Sequence, residues 1–112
     1  MPGLPVLPAD LRFARVTTEF TEQSVPAGLL HAHRTAPGVW GHLVVRDGTV
    51  GFVFDDDPDN QLTVRSGDTV AIQPQRPHHV VPVGAVRFAV EFYRAIDDPS
   101  DPTGPTDIEP VG

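Results

Sequence analysis

The chain has 112 residues, with fifteen acidic side chains against eight arginines, no lysine, no cysteine and a net charge of −7 at pH 7. This length predicts one domain around one hydrophobic core, and the acidity argues against binding the phosphates of nucleic acids. Without cysteine there is no disulfide, no thiolate metal site and no thiol nucleophile. Any metal must therefore be bound by imidazole and oxygen.

The sequence contains no candidate membrane segment. No apolar run approaches the roughly 20 residues that span a bilayer, and the first ten residues, MPGLPVLPAD, lack the basic and apolar regions of a signal peptide. We therefore expect a cytoplasmic protein with neither a nucleic-acid nor a membrane partner.

The predicted elements are short strands. Thirteen prolines and ten glycines leave few windows for a helix, while β-branched and aromatic runs recur between turn residues. These runs predict strands over residues 11–18, 25–33, 40–46, 49–54, 61–65, 69–73, 78–82 and 86–94. Such spacing is typical of an antiparallel sandwich or barrel.

Turn residues separate the predicted strands. Asp47-Gly48 predicts a type I′ hairpin between two valine-rich arms, and residues 55–60, 65–68 and 82–85 predict a loop and two further turns. From residue 96 acids and prolines dominate, which predicts a barrel domain over 1–95 and an extended or disordered tail over 96–112. Alternatively, the tail packs over the mouth of the domain.

The histidines form two groups. In a strand, His31 and His33 would project from one face and could bind one divalent metal. The alternative is a pair of partly exposed histidines on an edge strand. His78 and His79 are neighbours and must point to opposite faces, so only one of them can join such a site. The two groups would meet only if the strands close into a barrel.

Two motifs resemble those of the cupin superfamily: HAH at 31–33, followed by Gly48, and SGDTVAIQPQRPH, ending on His78. More narrowly, VPAGLLHAHRTAPGVWGHLVVRDGTV, QPQRPHHVVP and VRFAVEFYR resemble the tellurite-resistance-protein-like (TehB/YeaR-like) family, long catalogued as a domain of unknown function. The resemblance covers about residues 11–94. It implies an all-β fold, a small single-domain double-stranded β-helix barrel, with His31, His33 and His78 as metal ligands and His79 facing outward.

One departure concerns the acidic ligand of the first cupin motif. The position expected for that glutamate is Gly41. Glu91, an acid inside an apolar strand, or His42 could replace it, since a buried carboxylate needs a metal or a cation beside it. Alternatively, Glu91 pairs with Arg87 or another partner on the outer face, and His42 lies at the surface. Water is the remaining candidate for the fourth ligand.

The same resemblance suggests residues that contact a bound ligand. Trp40 and Tyr93 would shape the pocket, and Arg34 with Thr35 would bind an anionic group. Alternatively, Trp40 belongs to the core or to a dimer interface, and Thr35 caps its turn. A site of imidazoles with an optional carboxylate suits Zn, Fe, Ni, Cu or Mn, and the sequence does not choose among these divalent transition metals.

Two functions follow. The chain is either a metal-dependent enzyme, oxidative or hydrolytic, acting on a small molecule, or a non-catalytic metal-binding or anion-binding module connected with tellurite or nitrogen-oxide stress. No arrangement of residues for covalent catalysis is evident. The apolar strands carry more hydrophobic surface than one thin barrel can bury. We therefore expect a homodimer.

Overall fold

The computed structural model describes residues 4–30 and 33–96. His31 and the predicted tail from residue 97 onward lie outside these ranges. The described strands are β1 (Leu11–Val16), β2 (Phe20–Thr21), β3 (Trp40–Phe54), β4 (Leu62–Arg65), β5 (Thr69–Ile72) and β6 (His78–Ala95), and a short 3-10 helix spans Ala27–Leu30. Within the described ranges, no helix has the length and apolar character to cross a bilayer.

The two long strands, β3 and β6, organise the sheet. They pair with each other in antiparallel fashion along most of their length. The first half of β3 also pairs with β5 and its second half with β4, while β6 pairs with β1 and β2. Each long strand therefore pairs with two short strands as well as with the other long strand.

The ladder between β3 and β6 bends at its middle. Its register shifts after Val45 and again after Asp47, so that Asp47 pairs with Arg87 but Thr49 pairs with Val83. Gly48 and Gly84 supply positive φ angles of 80° and 69° at this break. Because of the bend, inward side chains from both halves of the two strands meet in a single core: Leu43, Val45, Val50, Phe52, Val80, Val86, Phe88, Val90 and Phe92.

The all-β, small single-domain barrel expected from the sequence is confirmed. The loop over residues 55–60 and the turn over 65–68 are also present, the latter with Gly67 at a positive φ of 92°.

Two of the predicted turns are wrong. Asp47-Gly48 does not end a hairpin, because β3 continues through it to Phe54, and residues 82–85 lie inside β6. A glycine with positive φ serves a two-residue turn and a bulge equally well. The partner strand, which sequence does not reveal, decides between them.

The strand predicted over 25–33 is also wrong for most of its length. Residues 27–30 form the 3-10 helix, which places Leu29 in the core, and among the described residues of this segment only His33 pairs with another strand. The backbone N–H of Leu29 donates to the carbonyl of Pro26 at 2.9 Å, which closes the first turn. Leu29 therefore reaches the core from a 3-10 turn and not from a strand.

The bend predicts a difference between two glycines. A Cβ at Gly48 would collide with the carbonyl oxygen of Ala85, whereas a Cβ at Gly67 meets nothing within 4 Å, although φ is positive at both positions. We expect Gly67→Ala to cost about 1–2 kcal/mol of unfolding free energy, the strain of the backbone conformation alone. Gly48→Ala should cost about 3 kcal/mol or more. Urea unfolding of both variants measures the difference, and equal losses would show that the bend does not require glycine.

Candidate metal centre

Two backbone hydrogen bonds bring the two histidine groups together. The N–H of His33 donates to the carbonyl of His78 at 2.7 Å, and the N–H of His78 donates to the carbonyl of His33 at 3.0 Å. Residues that exchange both bonds in an antiparallel bridge present their side chains on the same face. The two imidazole rings accordingly lie with their centroids 5.4 Å apart and their planes at 75°.

His78 is held in one orientation. Its Nδ1 lies 2.8 Å from the carbonyl oxygen of Arg76, which can only accept, so Nδ1 carries the proton and Nε2 retains its lone pair. The ring also lies nearly parallel to that of Phe52, at a tilt of 17° and a centroid distance of 5.4 Å. Burial lowers the pKa of His78 to about 4, despite the opposing effect of the Arg76 carbonyl. The side chain is therefore neutral near pH 7.

His33 contributes a nitrogen without a partner. Its Nδ1 is buried and makes no hydrogen bond with any described residue. Burial also lowers the pKa of this imidazole below its ordinary value. Leaving a buried polar atom unpaired costs about 1–3 kcal/mol, so this nitrogen is suited to a ligand that supplies the missing interaction.

A small cavity adjoins both rings. Its volume is about 10 Å³, which is the space of about one water molecule or a metal ion. Apart from the histidines and Thr35 its walls are apolar: Leu29, Leu43, Phe52, Ile72, Val80, Val90 and Phe92. The surroundings keep the imidazoles neutral, which is the form that binds metal.

Thr35, which sequence reasoning placed only in a turn or near an anion, has a structural role. Its hydroxyl donates to the carbonyl of Val39 at 2.8 Å and accepts from the N–H of Gln75 at 3.2 Å. It thereby ties the loop after His33 to the segment before His78. Arg34, expected to contact a ligand, is exposed and does not line the cavity.

The described residues supply two imidazoles to the cavity. No cluster of three or more metal-binding side chains occurs within residues 4–30 and 33–96. Gly41 lies two residues before the inward Leu43, on the same face of β3, and packs against Ile72, so the position where the cupin motif expects glutamate faces inward but carries no side chain. His31, the third expected ligand, lies outside the described residues.

Glu91 lies on the opposite face of the sheet. It alternates with Val90 and Phe92, which face the cavity, and it pairs across the ladder with His42. Its Oε1 accepts hydrogen bonds from Nδ1 of His42 at 2.9 Å and from the hydroxyl of Tyr93 at 2.8 Å. The structure therefore does not bring Glu91 to the histidine pair, and its partners on the outer face are His42 and Tyr93, not Arg87.

Trp40 and Tyr93 also lie on this outer face. The two residues pair across β3 and β6, and neither lines the cavity. Burial, followed by the hydrogen bond to Glu91, raises the pKa of Tyr93 to about 12. These aromatic residues therefore do not enclose the space beside the imidazoles.

His79 points away from His78, as strand alternation requires. Its Nδ1 donates to Oδ1 of Asp55 at 2.9 Å. This pair had no signal in the sequence, because the two residues belong to different strand ends that meet only in the folded ladder.

The residues present fit a transition metal in part. His78 shows the arrangement common among metal-binding histidines, in which one ring nitrogen donates to a carbonyl and the other is left free. The unpaired Nδ1 of His33 gives a second nitrogen in the same dry space. Two neutral imidazoles without thiolate suit the borderline divalent ions, and the remaining positions would need water or a residue outside the described ranges.

Comparison with known proteins gives a family and a fold. The model of the family described as TehB-like domain matches residues 15–90. No curated protein matches the chain.

Several solved structures are similar to this chain. A crystal structure of an Escherichia coli K12 protein shares 24% identity at a TM-score of 0.74, covering 82% of this chain and 98% of that one. TehB from Haemophilus influenzae shares 21% identity at a TM-score of 0.69, covering 78% of this chain but 32% of TehB. At these identities the likeness concerns the fold, and the chain spans about a third of TehB.

The buried imidazoles predict a pH dependence of stability in metal-free protein. Burial lowers the pKa of His33 and brings that of His78 from 6.5 to about 4, so between these values the unfolded chain binds more protons than the folded one. Stability should therefore rise with pH across this window and be lost as pH falls through it. The shift at His78 corresponds to about 3 kcal/mol.

Urea unfolding at about pH 7 and about pH 4.5 measures this loss. His78→Gln, which cannot titrate, should flatten the dependence, and His42→Gln on the outer face serves as the matched control. An unchanged slope in the His78 variant would show that its ring is not buried in the neutral form.

Proposed function

The chain belongs to the family of TehB-like domains, and from that membership and its buried imidazole pair we propose that it is a small cupin-type protein that binds a divalent transition metal. His33 and His78 are the ligands, and His31 is the third ligand suggested by the family resemblance. The observation that carries the proposal is the unpaired, buried Nδ1 of His33 beside a His78 ring whose tautomer is fixed by a backbone carbonyl.

The size of the cavity favours the binding module over the enzyme. About 10 Å³ leaves room for an ion or a water-sized group beside the imidazoles, and the apolar walls exclude further polar groups. A larger cleft of about 260 Å³ lies among Leu4, Phe54, Asn60 and Arg76, but none of the four described histidines lines it. An organic substrate would therefore lack direct access to the metal.

The enzyme remains the second candidate for one reason. A site with two protein nitrogens leaves coordination positions open, and an open position is what a metal needs to activate a bound water or to polarise a substrate. A role in tellurite or nitrogen-oxide stress is a proposal that comes from the family resemblance, not from the geometry.

We also propose a homodimer. The outer surface exposes apolar side chains on the edge strand β1 and near the bend of β6, namely Phe13, Val16, Val81 and Val83. A second copy would cover them. Light scattering gives the mass of the particle in solution, and a monomer at all concentrations would contradict this expectation.

The metal proposal predicts which histidines matter. Protein purified without added metal, then loaded with one divalent ion at a time, should bind one equivalent per chain. His33→Ala and His78→Ala should each weaken binding by about a hundredfold or more, because each removes a nitrogen ligand from a site that has few. Elemental analysis and calorimetric titration measure stoichiometry and affinity.

Matched controls come from the opposite faces. His79→Ala and Glu91→Gln alter side chains that point away from the cavity and should retain the full metal content. Thermal melting of every variant checks that the fold persists. Stoichiometric metal in His33→Ala, or its loss in Glu91→Gln, would refute the assignment.

A further inference from the structure

Arg15 is turned into the protein by a bulge in β1. The register of β1 against β6 pairs Phe13 with Tyr93 but Arg15 with Phe92, which leaves Ala14 as the extra residue. Without that extra residue, Arg15 and Phe13 would share the outer face with Tyr93. The bulge instead places the Arg15 guanidinium carbon 5.1 Å from the ring centroid of the buried Phe92.

Two nitrogens of the inward guanidinium lack polar partners among the described residues. Its Nε and Nη2 are both shielded from solvent, and neither makes a hydrogen bond in the described part of the chain. These two atoms form one edge of the planar group, and their N–H bonds point in parallel. That edge matches the two oxygens of a carboxylate or a phosphate.

Arg76 shows the same guanidinium edge, Nε and Nη2, bound to a carboxylate of this chain. Its Nε lies 3.0 Å from Oδ2 of Asp56 and its Nη2 lies 2.9 Å from Oδ1, so the carboxylate is bound in bidentate fashion. The Arg76 guanidinium also packs over an aromatic ring, that of Phe54, at 3.7 Å. Arg15 therefore repeats the arrangement of a guanidinium on a phenyl ring, but no carboxylate of the described residues contacts its Nε and Nη2.

Two further arginines lie on the same face as Arg15. Arg12 pairs directly with Arg94, and alternation along β6 places this pair on the same face as Phe92 and Arg15. Three of the eight arginines of an acidic chain thus share one face of two strands. Arg15 alone accounts for the attraction of an anion, because a charge interaction is stronger where water is excluded and its Nε and Nη2 are shielded from solvent.

We propose that Arg15 is the binding residue of a second site, which takes a small oxyanion with two coplanar oxygens. The ligand bridges Nε and Nη2 and rests beside the edge of Phe92, whose ring also borders the histidine cavity. Since β1 is the terminal strand of the described sheet, local opening at this edge gives the anion a path to the shielded nitrogens. The site needs no metal and is independent of the proposed metal function.

The direct test is the Arg15 Nε–H resonance of the full-length, 15N-labelled, metal-free protein. Titration with acetate and, separately, with inorganic phosphate should move this resonance downfield in a saturable manner at millimolar concentrations, about the range of a weak small-ion site. Acetate alone identifies a planar carboxylate ligand, and phosphate alone identifies a tetrahedral one. The Arg76 Nε–H, already bound to Asp56, is the internal reference and should not move.

Two variants complete the test. Arg15→Lys keeps the charge but removes the bidentate edge, and should weaken binding at least about tenfold; its spectrum also assigns the Arg15 resonance. Arg65→Lys, at an exposed position in β4, is the matched control and should bind as the parent does. An Arg15 resonance that stays unmoved by both anions, or that moves equally with chloride, would overturn the proposal without relying on any variant.

Discussion

The site depends on the pair of backbone hydrogen bonds between His33 and His78. These bonds join the loop after the 3-10 helix to the first residue of β6. In the sequence, β3, β4 and β5 lie between these two segments. They fix which residues of the two segments point inward, and both imidazoles therefore face the interior. On its other side, His78 pairs with Phe54 of β3, which places an apolar side chain next to the imidazole pair.

The surroundings of the pair explain why it stays neutral. Apolar walls remove water from both rings, and the N–H at Nδ1 of His78 donates a hydrogen bond to the carbonyl of Arg76. If both imidazoles were protonated, the two positive charges would repel each other in addition to losing their hydration. Stability near neutral pH and the proposed binding of a metal therefore have the same cause, and acid opposes both.

Sequence reasoning predicted the class of fold, the loop at 55–60 and the turn at 65–68, because these follow from the spacing of turn residues and from alternation. It could not predict that β3 and β6 continue through Gly48 and Gly84, since a bulge and a hairpin ask for the same backbone conformation from glycine. It also assigned a strand to the segment around Leu29, where the need to cover the core overrides local preference for extended structure.

At the site, the sequence indicated His33 and His78, and the structure brings these two together. It also suggested Glu91, Trp40 and Tyr93, which the structure places on the outer face, because the face that borders the cavity depends on pairing between distant strands. The inward direction of Arg15 had no signal in the sequence for a similar reason. The extra residue at Ala14 becomes visible only against the register of β6.

The central claim is that His33 and His78 share one metal ion, and anomalous diffraction from crystals of natively purified protein tests it most directly. Data collected on both sides of the absorption edge of the metal present should give a peak about 2.0–2.1 Å from Nε2 of His78 and from a ring nitrogen of His33 for zinc. A peak at the carboxylate of Glu91 instead, or ordered imidazoles with no peak between them in metal-replete crystals, would contradict the account.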